Sequence, residues 1–142
     1  GTADQIVEYR KQVEQKGLSD YFTFTGSVSP NEVASFYQLS DVLISPRLEG
    51  NNTPLKIYAY LRSGKPIVAT KHITHTQVLN EEVAMLTDIS PQAFAQGIIQ
   101  ILENENLARR LSYAARELAN KRYSQEHYVK QMKTLLNSIE KR

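Results

Sequence analysis

Two short apolar runs constrain this chain more than any other feature: DVLIS at 41–45 and PIVAT at 66–70. Each has a continuous apolar centre, and each is bracketed by stretches whose apolar residues recur at helical spacing. A strand that is apolar on both sides must be covered on both sides. That pattern belongs to a parallel sheet with helices on each face. The expected class is therefore α/β, a parallel sheet with helices on both faces.

The remaining elements follow from the same reading. Ile6, Tyr9 and Val13 mark a first helix, stopped at Gly17. The run YFTFT at 21–25 reads as a strand closed by Gly26, and Ser29, Pro30 and Glu32 read as a capping-box helix start. Val33, Phe36 and Tyr37 face that second helix. Thr53 reads as the N-cap and Pro54 as the first residue of a third helix, faced by Leu55, Tyr58 and Leu61 and stopped by Gly64. A short helix is expected over 74–79 and a weak strand over 84–87. After Pro91 the chain reads as helical to its end, with Ser124 capping a last helix that carries Tyr128, Met132, Leu135, Leu136 and Ile139.

Composition excludes several functions. At 142 residues the chain can bury one core, and 23 % charged residues are ordinary for a globular protein. Cysteine is absent, which rules out disulfides and thiolate metal sites and fits a reducing, cytoplasmic location. A net charge of +2 does not suit nucleic acid. Arg109-Arg110 and Lys121-Arg122 fall on polar helix sides with no aromatic platform. No apolar run is long enough to span a bilayer, and the N-terminus does not resemble a signal. His72 and His75 lack a third ligand at metal spacing, so both read as structural or solvated, and no metal site is expected. Glu81-Glu82, Glu103 and Glu105 read as solvated charge.

The loop after DVLIS carries the chemistry. In such sheets ligands bind beyond the carboxyl ends of strands, where loops enter helices. The stretch EGNNTPLK at 49–56 sits there, and the helix it opens has no acid in its first turn. Helix starts usually recruit carboxylates, because free N–H groups and the dipole attract negative charge. Here Lys56 stands where a capping box would place Glu. A start of this kind suits phosphate. Gly50, Asn51 and Asn52 let the loop wrap closely and donate hydrogen bonds, and Glu49 can accept them from sugar hydroxyls. The plainer alternative is that Thr-Pro and Asn-Asn are turn punctuation and Lys56 is a solvated side chain.

The segments FTGSV (24–28), SFYQLSDVLISPRLEG (35–50) and TPLKIYAYLRSGKPIVAT (53–70) resemble, in order, the C-terminal domain of a retaining glycosyltransferase of the GT-B type, family 4. The resemblance runs over residues 1–123. It implies a partial Rossmann-like lobe that binds a nucleoside diphosphate sugar as donor substrate, with no metal and no other cofactor. It places Glu49 against the donor sugar as the catalytic-site acid. Backbone groups of Gly50, Asn51, Asn52, Thr53, Pro54 and Leu55 would hold the diphosphate and sugar. Gly26, Ser27 and Val28 would lie near the nucleoside. Residues 124–142 would form a helix crossing to an N-terminal lobe that is not in this sequence. That lobe and the elements before Gly1 would supply the acceptor site and further basic residues. This chain alone is therefore expected to be inactive. Peripheral membrane association is left open for a longer parent only.

Two departures stand out. The family commonly carries a second Glu one turn before the helix-stopping Gly, for the ribose hydroxyls; here that position is Ala59. The loop is also slightly longer than usual. A non-catalytic binding or scaffold module of the same fold is the competing reading. A nucleotide-sugar epimerase of similar architecture would want more acids and histidines around its cleft.

Overall fold

The computed structural model describes residues 3–140. The chain divides between Phe36 and Tyr37 into two compact units, taken here in turn. In the first, α1 (Ala3–Gln15) ends where expected: Gly17 takes a left-handed φ of +66°, and the Leu18 N–H donates back to the Val13 carbonyl at 3.0 Å.

The expected strand at 21–25 does not form. A 3-10 turn occupies Ser19–Tyr21, Phe22 is extended, and residues 22–26 form no ladder pairing among the described residues. Its aromatics find local partners instead. Phe22 and Phe24 stack at 6.2 Å, and the Arg10 guanidinium lies 5.5 Å from the Phe24 ring centroid. The side chains suit a strand; what is lacking is a neighbour for the backbone.

The second helix, α2 (Pro30–Leu39), starts as read, with one change in the capping box. The Glu32 carboxylate accepts from both the Ser29 N–H (3.2 Å) and the Ser29 hydroxyl (2.6 Å). These bonds hold the Glu32 carboxyl below its ordinary pKa.

The second unit is the α/β body. It contains β1 (Leu43–Ser45), α3 (Lys56–Ser63), β2 (Ile67–Thr70), α4 (Ile73–Thr76), β3 (Met85–Thr87), α5 (Pro91–Glu103), α6 (Glu105–Arg122) and α7 (Gln125–Glu140). The strands form one sheet in the order β1-β2-β3, all parallel, with Ile44 opposite Val68 and Ala69 opposite Leu86. The three expected strands at 41–45, 66–70 and 84–87 are thus present in trimmed form.

The alternation within β2 explains why helices cover both faces. Ile67 and Ala69 join Leu43, Ile57, Leu61 and Ala115 in one buried cluster. Val68 points the other way, into Phe94, Ile101 and Leu111. On that second face Gly97 lets α5 approach the sheet: a Cβ there would meet the Thr87 Cγ2 at 2.5 Å. Ser90, Asn104 and Ser124 each accept from a backbone N–H three residues on, opening α5, α6 and α7. The last helix packs against α6, while Tyr128, Met132, Leu135, Leu136 and Ile139 stay exposed.

Candidate functional site

The loop 46–55 leaves the carboxyl end of β1 and enters α3. Its course is set by four hydrogen bonds. The Arg47 N–H donates to the Thr70 hydroxyl (3.0 Å), and that hydroxyl donates back to the Arg47 carbonyl (2.8 Å). One side chain at the end of β2 thus imitates a strand pairing for the residue that opens the loop. The Arg47 Nε–H then donates to the Glu49 carbonyl at 2.7 Å. Gly50 follows with φ +106°, and a Cβ there would collide with the Arg47 guanidinium. Further on, the Thr53 hydroxyl donates to the Gln77 Oε1 at 2.9 Å.

That last bond corrects the expected cap. Thr53 is not the N-cap of α3 and Pro54 is not its first residue; Leu55 stands at the N-cap, in helical geometry and with no side-chain cap. The Thr53 hydroxyl donates to Gln77, and α3 begins two residues later than a cap at Thr53 would require. The Pro54 and Leu55 carbonyls already accept from the Ile57 and Tyr58 N–H groups, which makes 54–58 a tight lead-in turn. The absence of an acid in the first turn holds, and the first N–H groups of α3 have no side-chain acceptor.

Lys56 is the first helical residue, two positions earlier in the helix than the spacing predicts. Its ammonium makes a long contact of 3.5 Å with the Ile44 carbonyl and lies 5.5 Å from the Tyr60 ring centroid. Burial lowers its pKa, and the nearby Arg47 charge lowers it further. Neither Lys56 nor Arg47 pairs with a carboxylate among the described residues. Glu49, Gly50, Asn51 and Asn52 are exposed, and the Glu49 carboxylate makes no bond among the described residues. Thr53 and Pro54 are half-buried and Leu55 is exposed.

Residues 49–56 therefore come together at one end of the sheet. Gly26 and Ser27, exposed, and Val28, half-buried, belong to the first unit. Ala59 sits half-buried on α3, where no side chain can accept a hydrogen bond.

Beneath the loop lies a polar cluster that the sequence does not announce. His75 is 0 % exposed, Ser45 1 % and Thr70 2 %. The His75 Nδ1 is 2.8 Å from the Thr70 carbonyl and 3.3 Å from its hydroxyl, and Nε2 is 2.9 Å from the Ser45 Oγ. A carbonyl only accepts, so Nδ1 carries the proton, and Nε2 accepts from the Ser45 hydroxyl. Burial lowers the His75 pKa against the raising effect of the Thr70 carbonyl; Lys56, Arg47 and His72 lower it further. The imidazole is held neutral. His72, by contrast, caps α4 by accepting from the Thr74 N–H. No group of metal-ligating side chains occurs among the described residues.

An apolar cleft of about 350 Å3 opens beside the loop, between Pro46, Leu48, Thr70 and the start of α5 at Pro91 and Phe94. A hollow of about 970 Å3 along α6 and α7 touches none of the loop residues and is only a groove beside an exposed helix.

Residues 2–118 match the family described as glycosyl transferases group 1. The chain belongs to that family. It is 24 % identical over 135 residues to an uncharacterised glycosyltransferase of Methanocaldococcus jannaschii, covering 94 % of this chain and 34 % of that protein. Among solved structures it resembles sucrose-phosphate synthase from Thermosynechococcus elongatus (TM-score 0.82, 23 % identity, covering 96 % of this chain and 34 % of that one). It also resembles the Anabaena protein HepE in complex with UDP (TM-score 0.86, 20 % identity, covering 95 % and 37 %). Identities this low support the fold, a lobe of the GT-B type. This group 1 chain spans about a third of the length of these relatives. Among its described residues no helix is long and apolar enough to cross a membrane.

Proposed function

We propose that this chain is the donor-binding lobe of a retaining, family 4 glycosyltransferase, and that a nucleoside diphosphate sugar sits on the loop 46–55 and the start of α3. One observation carries the reading. The N-terminus of α3 has no acid and no side-chain cap, and Arg47 and Lys56, two cations with no carboxylate partner among the described residues, lie beside it at the end of β1. The helix dipole and two positive charges together favour a bound anion. The Anabaena neighbour was solved with UDP, and also with UDP and glucose, which supports a uridine nucleotide as the first probe.

In this reading the backbone of Gly50, Asn51, Asn52, Thr53, Pro54 and Leu55 holds the diphosphate and sugar. Glu49 accepts hydrogen bonds from sugar hydroxyls. Gly26, Ser27 and Val28 serve the nucleoside. Arg47 and Lys56 offset charge as the diphosphate departs from the face on which the acceptor arrives, so no metal is required. The acceptor, a partner N-terminal lobe contacted by residues 124–142, and a cytoplasmic location belong to a longer parent. The chain alone binds weakly and does not turn over.

Titration with UDP-glucose, followed by NMR, should move the amides of 50–55 first; shifts confined to another surface would exclude this site. Replacing Glu49→Ala should weaken UDP-glucose several-fold and leave UDP nearly unchanged. Equal losses for both would remove Glu49 from the sugar. A non-catalytic scaffold of the same fold is the second reading, favoured by Ala59 alone, since alanine offers the ribose no acceptor. A longer parent that binds donor but transfers no sugar to water or acceptor would decide for it.

A further inference from the structure

We propose that His75 is a positioning residue for the donor loop: its neutral ring ties the ends of β1 and β2 together and so fixes where Arg47, Glu49 and Gly50 stand. The inference rests on the donor-site reading above, but its structural half does not depend on it.

The argument is one of connectivity. Ser45 is the last residue of β1 and Thr70 the last of β2. Their side chains are buried, at the place where the sheet stops supplying backbone partners. His75 joins them, accepting from Ser45 through Nε2 and donating to the Thr70 carbonyl through Nδ1. Thr70 is thereby oriented so that its hydroxyl clamps both backbone groups of Arg47. Arg47 in turn holds the Glu49 carbonyl. Ser45, His75, Thr70, Arg47 and Glu49 thus form an unbroken series from the core to the loop. A buried network in which every member is satisfied has one arrangement, and removing a member leaves orphaned polar groups behind.

Histidine suits the position for a chemical reason. It must donate on one side and accept on the other across the width of a ring, which a neutral imidazole does and an imidazolium, donating on both sides, does not. The charged groups around it, Lys56 from α3, Arg47 from the loop and His72 ahead of α4, are all cationic or neutral. A proton on Nε2 would face Ser45 with a second donor and would add a third positive charge to that corner. Among the described residues no carboxylate acts on it.

The test uses this 142-residue chain and three variants. His75→Asn keeps a donor for the Thr70 carbonyl and loses Ser45; His75→Phe keeps the shape and loses both. Leu111→Ala, in the cluster on the other sheet face, serves as a control for general destabilisation. Without ligand, His75→Phe should shift the amides of Arg47 to Asn52 and raise Arg47 amide exchange at least tenfold. His75→Asn should do so less, and Leu111→Ala should leave both unchanged. In the wild type, ring nitrogen spectra should show Nδ1 protonated and Nε2 bare at pH 7. With UDP as probe, the Kd should rise about tenfold in His75→Phe and stay within twofold in Leu111→Ala. The proposal is overturned if Arg47 exchange is unaltered in His75→Phe, or if the control perturbs the loop equally. If the wild type binds no UDP, the donor-site reading fails, and the ligand-free comparison still decides for or against the role of His75. Should His75→Phe fail to fold, the graded response of His75→Asn carries the same decision.

Discussion

Gly50 and His75 show how single residues set this site from opposite sides. At Gly50 the constraint is steric. Its φ of +106° is closed to side chains, and the Arg47 guanidinium fills the place a Cβ would take. Gly50→Ala should cost about 1–3 kcal/mol of strain. Urea unfolding reads this as a lowered midpoint; an unmoved midpoint would show that the loop leaves Arg47 and sheds the strain. At His75 the constraint is protonation. Burial holds its folded pKa below the usual 6.5, with Arg47, Lys56 and His72 acting in the same direction and the Thr70 carbonyl against it. The unfolded chain therefore binds the proton more readily, and stability rises with pH across the window between the two values. Stability should be flat above about pH 7 and fall as pH drops through 6.5 towards the lowered folded value. His75→Phe removes the titrating group and should flatten that part of the profile. An unchanged acid slope in the variant would assign the loss to other groups.

At the scale of elements, the contact between α5 and the sheet is the most exactly dimensioned. Gly97 faces Thr87, whose methyl would lie 2.5 Å from an added Cβ, with Met85 at 3.3 Å and Val68 at 3.4 Å. A β-branched side chain on a strand cannot swing aside easily. Gly97→Ala should therefore destabilise by about 1–3 kcal/mol through overpacking, less up to about 1 kcal/mol regained as helix propensity. Thr87→Ser removes the methyl, so in that background the Gly97→Ala cost should shrink; equal costs in both backgrounds would show that the helix shifts as a body. The same scale explains what could be read from sequence. DVLIS and PIVAT declare themselves, because burial on both faces is written in their own side chains. Gly64 likewise stops α3 as read, at φ +71°. YFTFT misleads, since a strand is a relation between two backbones and its composition describes only one. Thr53 misleads because a tight turn over 54–58 delays the start of α3 by two residues, and its hydroxyl bonds Gln77, 24 positions away. The cluster under the loop was illegible for the same reason: Ser45 and His75 are 30 positions apart, and nothing local marks them as partners.

On the scale of the whole molecule, the last helix poses the remaining question. Tyr128, Met132, Leu135, Leu136 and Ile139 lie on α7 at helical spacing, and all five are more than a third exposed. Soluble proteins seldom leave so many apolar side chains together in water unless something binds there. The chain spans about a third of its relatives' length, which agrees with the proposal that this stripe meets a second lobe in a longer parent. In the chain by itself the stripe should then promote self-association. Light scattering across a concentration series should report a rising mass for the wild type. The double variant Leu135→Glu and Ile139→Glu should stay monomeric with its melting temperature nearly unchanged, because neither residue contributes to the clusters around the sheet. A variant that stays monomeric but melts well below the wild type would mean that α7 folds back on its own body. In that case the exposed stripe belongs to the core, and no second lobe is needed to explain it.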